Sequence, residues 1–353
     1  MPYQENKDFH ELLKKVDSCF NGELPFSLYR KPLENQVNCI FQSDNSLHTI
    51  SDFEDKGFVF APFDLNNNAI VVKPDEVHSV VFQKEKTRNR SENFTLSQDK
   101  DVHLKLVEKG IAAIGKGALK KVVLSRKVKV KLSKSPIEIF ITLLNSYPNA
   151  FCYLFFHPKV GTWCGATPET LMRIENGILS TMSLAATLPF KEGVEPKWGT
   201  KEIEEQEMVS SYIEERLSGS MEELNLGRAE SVRAGNLWHL KSEIKGKLLA
   251  KAKIGDIVGA LHPTPAVCGI PMQAAKTFIM DNENYKRTYY TGFLGELNMR
   301  DNKETHLFVN LRCMELTDEK ATIFVGGGIT AASDPESEWT ETQNKSMTML
   351  NII

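Results

Sequence analysis

Residues 324–345 read FVGGGITAASDPESEWTETQNK: an apolar strand, three glycines, a polar turn and a helix. Asp334 supplies an N-cap side chain, and Pro335 suits the first helical position. GGGITA at 326–331 formally matches a dinucleotide fingerprint of the GxGxxA kind. Too little chain follows Gly328 for the βαβ unit and ribose-binding acid that the fingerprint requires, so that reading is rejected. What remains for Gly326, Gly327 and Gly328 is a strand-end turn whose bare amides can approach an anion, beside a purely structural role. On the helix, Glu338, Glu341 and Lys345 fall at i, i+3 and i+7 on one face. Glu341 and Lys345 could form a simple surface pair, or the carboxylates could turn inward, where oxygen ligands suit magnesium.

Working back from there, 321–326 and 306–316 read as strands, and Ala274, Ala275, Phe278 and Ile279 mark a helix. LMRIENGILSTMSL is a hairpin turning at Asn176-Gly177. FCYLFF, apolar on both faces, is a central strand. In KKVVLSRKVKVKL the residues Val122, Leu124, Val128, Val130 and Leu132 alternate as in a half-buried strand, and a helix is predicted over 102–116. Short apolar runs such as GFVFAPF and NAIVV make residues 1–84 strand-rich, and the polar QKEKTRNRSENFTLSQDK that follows is an exposed connection. Strands and helices intersperse without a regular βα repeat, so the expected class is α/β of the irregular or α+β kind. The expected organisation is an N-terminal extension, 1–95, integrated into the same body as a catalytic segment, 96–353.

Composition excludes several functions. The 353 residues carry 43 Lys and Arg against 46 Asp and Glu, net −3, with 41% hydrophobic and 25% charged residues. Disorder, collagen-like repeats and a basic nucleic-acid-binding surface do not fit such a chain. Six scattered cysteines with no CxxC pair, and an opening MPYQENKDFHELLKK without an apolar signal stretch, lead to the expectation of a reduced, cytoplasmic protein. No apolar run reaches the roughly 18 residues of a membrane span. The common P-loop, zinc-protease and serine-hydrolase motifs are absent.

Four residues stand out chemically. In KEIEEQEMVSSYIEERL (201–217) Glu205 shares a face with Met208, Val209 and Tyr212, which puts a carboxylate on the stripe expected to turn inward. It either complements the helix dipole or meets a partner such as a metal. Lys121 has the parity of Lys127, Lys129 and Lys131, which by itself reads as one more solvated lysine. Glu169 in GATPETL occupies a loop position that is surface-exposed in most proteins, and His239 in LWHL sits between apolar neighbours.

Taken together and in order, nine segments resemble the chorismate-utilising enzymes, the family of isochorismate, salicylate, anthranilate and aminodeoxychorismate synthases. They are KVVLSR (121–126), GATPETL (165–171), TMSLAAT (181–187), KEIEEQEMV (201–209), LWHL (237–240), LHPTPAVCGIP (261–271), YYTGFLGEL (289–297), FVNLRCMEL (308–316) and the stretch quoted first. The resemblance covers about residues 100–353. It implies two packed, mainly antiparallel sheets with helices outside and one chorismate site between the sheets. Lysine at the head of KVVLSR is typical of the water-adding members, so the implied reaction is the magnesium-dependent, reversible conversion of chorismate to isochorismate. That product feeds menaquinone or catecholate siderophore synthesis. A salicylate synthase and a catalytically silent chorismate-binding subunit are the alternatives, and a monomer is expected.

The resemblance also implies roles. Lys121 would be the base that activates water at ring carbon 2, for which it must first shed its proton, and Glu169 the acid that protonates the leaving C4 hydroxyl. His239 would face the ring near C4. Glu205 and Glu341, with Glu338 close by, would hold magnesium. Arg312 and Tyr290 would bind the enolpyruvyl carboxylate, Ala266 and Val267 would line the wall beside C2, and Lys345 with the Gly326–Gly328 amides would add positive potential. Thr187 would also contact substrate. Two positions depart from the family: Ala186 stands where LAGT has glycine, which matters if that residue needs positive φ, and Gln206 stands where EH is common.

Overall fold

The computed structural model describes residues 7–84, 99–190, 192–234, 237–299 and 304–353. Its described strands form two sheets in which every pairing between neighbours is antiparallel. The nine-stranded sheet runs, edge to edge, Gly269–Ile270, Lys121–Lys131, Lys320–Ile329, Cys313–Leu316, Gly161–Thr167, Phe151–His157, Phe26–Arg30, Gln36–Phe41 and Glu76–Val81. The other sheet runs Met221–Leu226, Leu237–Leu248, Ile178–Pro189, Thr170–Glu175, Thr305–Val309, Phe293–Leu297, Gly57–Ala61, Ala69–Val72 and His48–Ile50, with Glu230–Ala234 also pairing Leu237–Leu248.

The sheets meet across an aromatic layer. Phe151 of one stacks on Phe308 of the other at 4.1 Å between ring centroids, and Phe155 stacks on Phe60 at 4.2 Å. Strands apolar on both faces follow from this, because their second face packs under helices. Leu12 and Val16 from the helix Lys7–Asn21, and Phe140 and Leu143 from Pro136–Ser146, cover the outer side of the nine-stranded sheet. Val209 and Ile213 from the acidic helix Thr200–Leu217, with Ile257 from Ile254–Leu261, cover the other. Against the strand Lys121–Lys131 pack the helices Lys100–Gly115 and Met272–Asn282, through Val107 and Ile279. No described helix is long and apolar enough to cross a membrane, and all six cysteines are buried free thiols.

Several sequence expectations match closely. The hairpin turns at Asn176 (φ 50°) and Gly177 (φ 75°), the two positive values that a tight hairpin of this kind requires. In the last helix, Pro335–Leu350, the Asp334 side chain accepts from Ser337 N at 2.9 Å. Phe151–His157 is flanked by strands on both sides. The expected boundary at 95/96 lies outside the described residues. Strands on its N-terminal side enter both sheets, Phe26–Arg30 beside Phe151–His157 and Gly57–Ala61 beside Phe293–Leu297.

Two expectations are corrected. The segment 306–316 is not one strand: Thr305–Val309 belongs to one sheet and Cys313–Leu316 to the other, with Arg312 at φ 47° between them. The three glycines are not a strand-end turn, because Gly326, Gly327 and Gly328 lie inside Lys320–Ile329, in register with Ser125, Leu124 and Val123. Period-2 patterning sees neither effect, since both depend on what faces the strand from another sheet or helix.

A second passage between sheets occurs at Pro168 and Glu169, between Gly161–Thr167 and Thr170–Glu175. The two passages are tied together: Val309 N donates to Glu169 O at 3.0 Å, Ala166 N to Arg312 O at 3.0 Å, and Thr167 Oγ1 to Val309 O at 2.6 Å.

Candidate active site

These passages deliver Glu169 and Arg312 to one pocket at the mouth of the two sheets, and the other elements complete it. Lys121 comes from the start of its strand, Gly326 to Gly328 from the neighbouring strand, and Glu338, Glu341 and Lys345 from the last helix. Glu205 comes from the acidic helix, His239 from Leu237–Leu248, and Ala266, Val267 and Tyr290 from loops. All the residues given a catalytic, substrate or metal role in the sequence therefore line this one pocket, with a single exception. Thr187 lies in the strand Ile178–Pro189, but its side chain is outside the described residues.

Lys121 is 1% exposed, so the solvated-lysine reading fails despite its parity with Lys127 and Lys129. Its Nζ donates to Glu205 Oε1 at 2.8 Å. This contact decides between the two readings of Glu205: the carboxylate meets a buried partner across the pocket. The surface-pair reading of Glu341 and Lys345 is half right. They do bond at 2.5 Å, yet within the pocket lining, where Lys345 Nζ also donates to Gly326 O at 3.0 Å.

Glu169 is buried, at 4% exposure, and burial pushes its carboxyl up to about 8 against the pull of Lys121 and Lys345. It holds its proton at neutral pH. Burial likewise pulls His239 down to about 3, with Arg312 and Lys345 acting in the same sense, so the imidazole is neutral. Its Nδ1–H donates to Ala186 O at 2.9 Å, which fixes the ring's orientation and tautomer. Ala186 has φ 56°, the left-handed region where a Cβ is unfavourable.

Gln206 forms a structural tie. It is buried, and its Nε2 donates to Ser183 Oγ at 2.8 Å, Ser183 O at 3.1 Å and Ser242 Oγ at 3.2 Å, joining the acidic helix to two strands. Tyr290 stacks on Phe324 with ring centroids 5.4 Å apart. Arg312 Nη1 donates to Lys345 O and Thr348 Oγ1, each at 3.4 Å.

Sequence reasoning missed Glu202, which also lines the pocket. It lies three residues before Glu205 on the same helix, a spacing that could have revealed it. Phe324 and Leu311, also in the lining, belong to quoted motifs but gave no polar signal.

The donor set fits a hard cation. Glu202, Glu205, Glu338 and Glu341 offer oxygen only, as magnesium prefers. A Cβ at position 327 would sit 3.0 Å from Glu338 Oε2 and 3.7 Å from Glu341 Oε1, so glycine there keeps the space between those carboxylates open. At 328 a Cβ would lie 3.1 Å from Lys121 Cε and 3.4 Å from Glu205 Oε1. Another group with a cation-ligand composition, Glu175, Glu304 and His306, stands apart from the pocket.

A fold of two packed antiparallel sheets that brings an acid, a lysine and a carboxylate set to one pocket defines an enzyme. The profile of the chorismate binding enzymes matches residues 1–351, and the chain belongs to that family. It is 28% identical over 356 residues to the isochorismate synthase EntC of Escherichia coli (strain K12), covering 94% of this chain and 88% of that one. It is 29% identical over 317 residues to the isochorismate synthase DhbC of Bacillus subtilis (strain 168), covering 83% and 79%. The isochorismate synthase MenF of Escherichia coli (strain K12) is 29% identical over 268 residues, 72% of this chain, and less than two thirds of MenF, 61%, is spanned. A solved structure of Escherichia coli MenF superposes with a TM-score of 0.78 at 20% identity, over 93% of this chain and 88% of that one.

Proposed function

We propose that this chain is an isochorismate synthase, converting chorismate to isochorismate reversibly. The observation that carries the reading is a buried carboxyl and a buried lysine lining one pocket. Lys121, as the free amine, takes a proton from the water that bonds to ring carbon 2, and that proton returns through solvent to Glu169 after each turnover. Glu169 gives its proton to the C4 hydroxyl, which departs as water while the ring double bonds shift. Water enters and water leaves, so the net change is an isomerisation, and each group supplies roughly 10²–10⁴-fold.

The other lining residues bind and orient. Arg312 and Tyr290 take the enolpyruvyl carboxylate, for which a planar guanidinium is the apt donor. Ala266 and Val267 wall the ring beside C2, Thr187 contacts substrate, and neutral His239 faces C4. Lys345 and the Gly326–Gly328 backbone add positive potential. With Glu169 protonated and Lys121 a free amine, the described lining sets four further carboxyl groups against the cations Arg312 and Lys345, a poor host for a dianion without added positive charge. Glu205, Glu338 and Glu341 would hold a magnesium ion, which supplies the charge that the ring carboxylate needs.

We further read the extension 1–95 and the segment 96–353 as one catalytic body, working as a cytoplasmic monomer that feeds menaquinone or siderophore synthesis. The deciding experiment incubates purified protein with chorismate and magnesium and separates the products. Accumulating isochorismate is expected. Salicylate with pyruvate would select the salicylate synthase reading, and no conversion would select the silent subunit.

A further inference from the structure

Apart from the catalytic pocket, a cavity of about 460 Å³ lies between the helix Lys100–Gly115, the strand Lys121–Lys131 and residues 282–285. Among the described residues its charge is one-sided: Lys105, Lys109, Arg126, Lys127 and Lys129 line it against the carboxylate of Asp99. Among the described residues none of these five cations forms a salt bridge. Lys105, Lys109 and Lys129 are exposed, so water can solvate them.

Arg126 is different. It is 6% exposed, and its guanidinium bonds neutral partners: Nε to Thr342 Oγ1 at 2.8 Å and Nη2 to Gln343 Oε1 at 3.4 Å, with the group held 4.0 Å from the Trp339 ring centroid. A buried charge is costly unless a counter-charge reaches it. His103, 3% exposed, also lines the cavity, and neither of its ring nitrogens has a hydrogen-bond partner. A buried polar ring left unsatisfied calls for a ligand or water to complete it.

The sheet edge adds backbone donors. Gly269–Ile270 pairs only with Val122 and Lys121, and beyond them Val123 N donates to Cys268 O and Ser125 N to Glu283 Oε1. The register with Lys320–Ile329 is continuous, so alternation turns the N–H groups of Lys127 and Lys129 toward this same edge, where no described strand covers them. Exposed edge amides among cationic side chains form anion-accepting concavities.

We propose that this cavity is a second binding site, distinct from the catalytic pocket, for a small multiply charged anion bearing phosphoryl or carboxylate groups. The lysines supply attraction at the open side, and Arg126, His103 and the strand edge supply the fixed contacts. Arg126 is held by the helix Pro335–Leu350, so the site is rigid before the ligand arrives.

Calorimetric titration of the full chain with inorganic pyrophosphate, and separately with citrate, tests this. One-to-one saturable binding is expected for at least one of them; tighter pyrophosphate assigns a phosphoryl ligand, tighter citrate a carboxylate one. The double variant Lys105→Gln/Lys109→Gln, on an exposed helix face, should weaken binding by about tenfold or more while keeping the wild-type melting temperature. Lys121→Ala, which alters only the catalytic pocket, should leave it unchanged. Absence of saturable binding overturns the proposal, as does binding that survives the double variant or is displaced by chorismate.

Discussion

Lys121 and Glu205 stand 84 positions apart in the chain, yet Nζ of one donates to Oε1 of the other at 2.8 Å, with side-chain exposures of 2% and 15%. The contact joins the nine-stranded sheet to the acidic helix on the opposite sheet, and both residues line the pocket. It also pairs the proposed base with a proposed metal ligand. Whatever draws on Glu205 therefore acts on Lys121.

Replacing Lys121 by alanine should lower turnover by about 10²–10⁴-fold or more while chorismate binding stays measurable by calorimetry. Stability should fall only modestly, because Glu205 keeps some contact with solvent. A variant with wild-type turnover would remove Lys121 from the role of base.

Glu169 sets a pH dependence. Its folded carboxyl titrates at about 8 against an ordinary 4.5. As pH rises through about 8 the acid is lost, so kcat/KM for chorismate should decline there, and Glu169→Gln should remove that limb along with about 10²–10⁴-fold of activity. Between about 4.5 and 8 the folded state holds a proton that the unfolded state has released. The contribution of this group to stability therefore decreases with rising pH across that window and is flat above it. Urea titrations of wild type and Glu169→Gln at several pH values would read the difference.

Removing divalent cations with a chelator should abolish turnover, and magnesium should restore it. Glu341→Gln should shift the half-saturating magnesium concentration upward by about tenfold or more, because a charged oxygen ligand is lost. An unchanged magnesium requirement would take Glu341 out of the metal site.

Ala186 holds its left-handed conformation at a cost of about 1–2 kcal/mol, which glycine would not bear, although glycine loses more chain entropy on folding. Ala186→Gly should raise stability by a net of about 0.5–1 kcal/mol in denaturant titration and leave turnover at or above wild type. A destabilised variant would mean that the methyl group contributes packing that outweighs the strain.

Gln206→Ala should cost about 1–3 kcal/mol, since the hydroxyls of Ser183 and Ser242 lose a buried donor. Gln206→His, which keeps a ring N–H donor, should recover part of that loss in the same urea assay.

Much of this was legible in the sequence where the cause is local. Asn176-Gly177 fixes its hairpin and Asp334-Pro335 starts its helix through the conformations those residues favour, without help from the rest of the molecule. The segments that misread are those whose surroundings come from elsewhere. Nothing in KKVVLSRKVKVKL distinguishes Lys121 from Lys127; only the helix carrying Glu205 does. Likewise the break at Arg312 lies within a run apolar enough for one strand, and it shows only once two sheets compete for its halves. The membership of the pocket became readable through the order of motifs rather than through spacing, because its residues come from at least six separated segments.

The two places where the chain leaves one sheet for the other are fastened to each other by short backbone bonds, Val309 to Glu169 and Ala166 to Arg312. Glue at that junction makes the separation of the acid and the guanidinium a local length, set by a few neighbouring peptides rather than by how the layers rest on one another. The outer helices and distant loops take no part in those bonds. A repair or insertion between residues 166 and 169, or between 309 and 312, acts on that length directly.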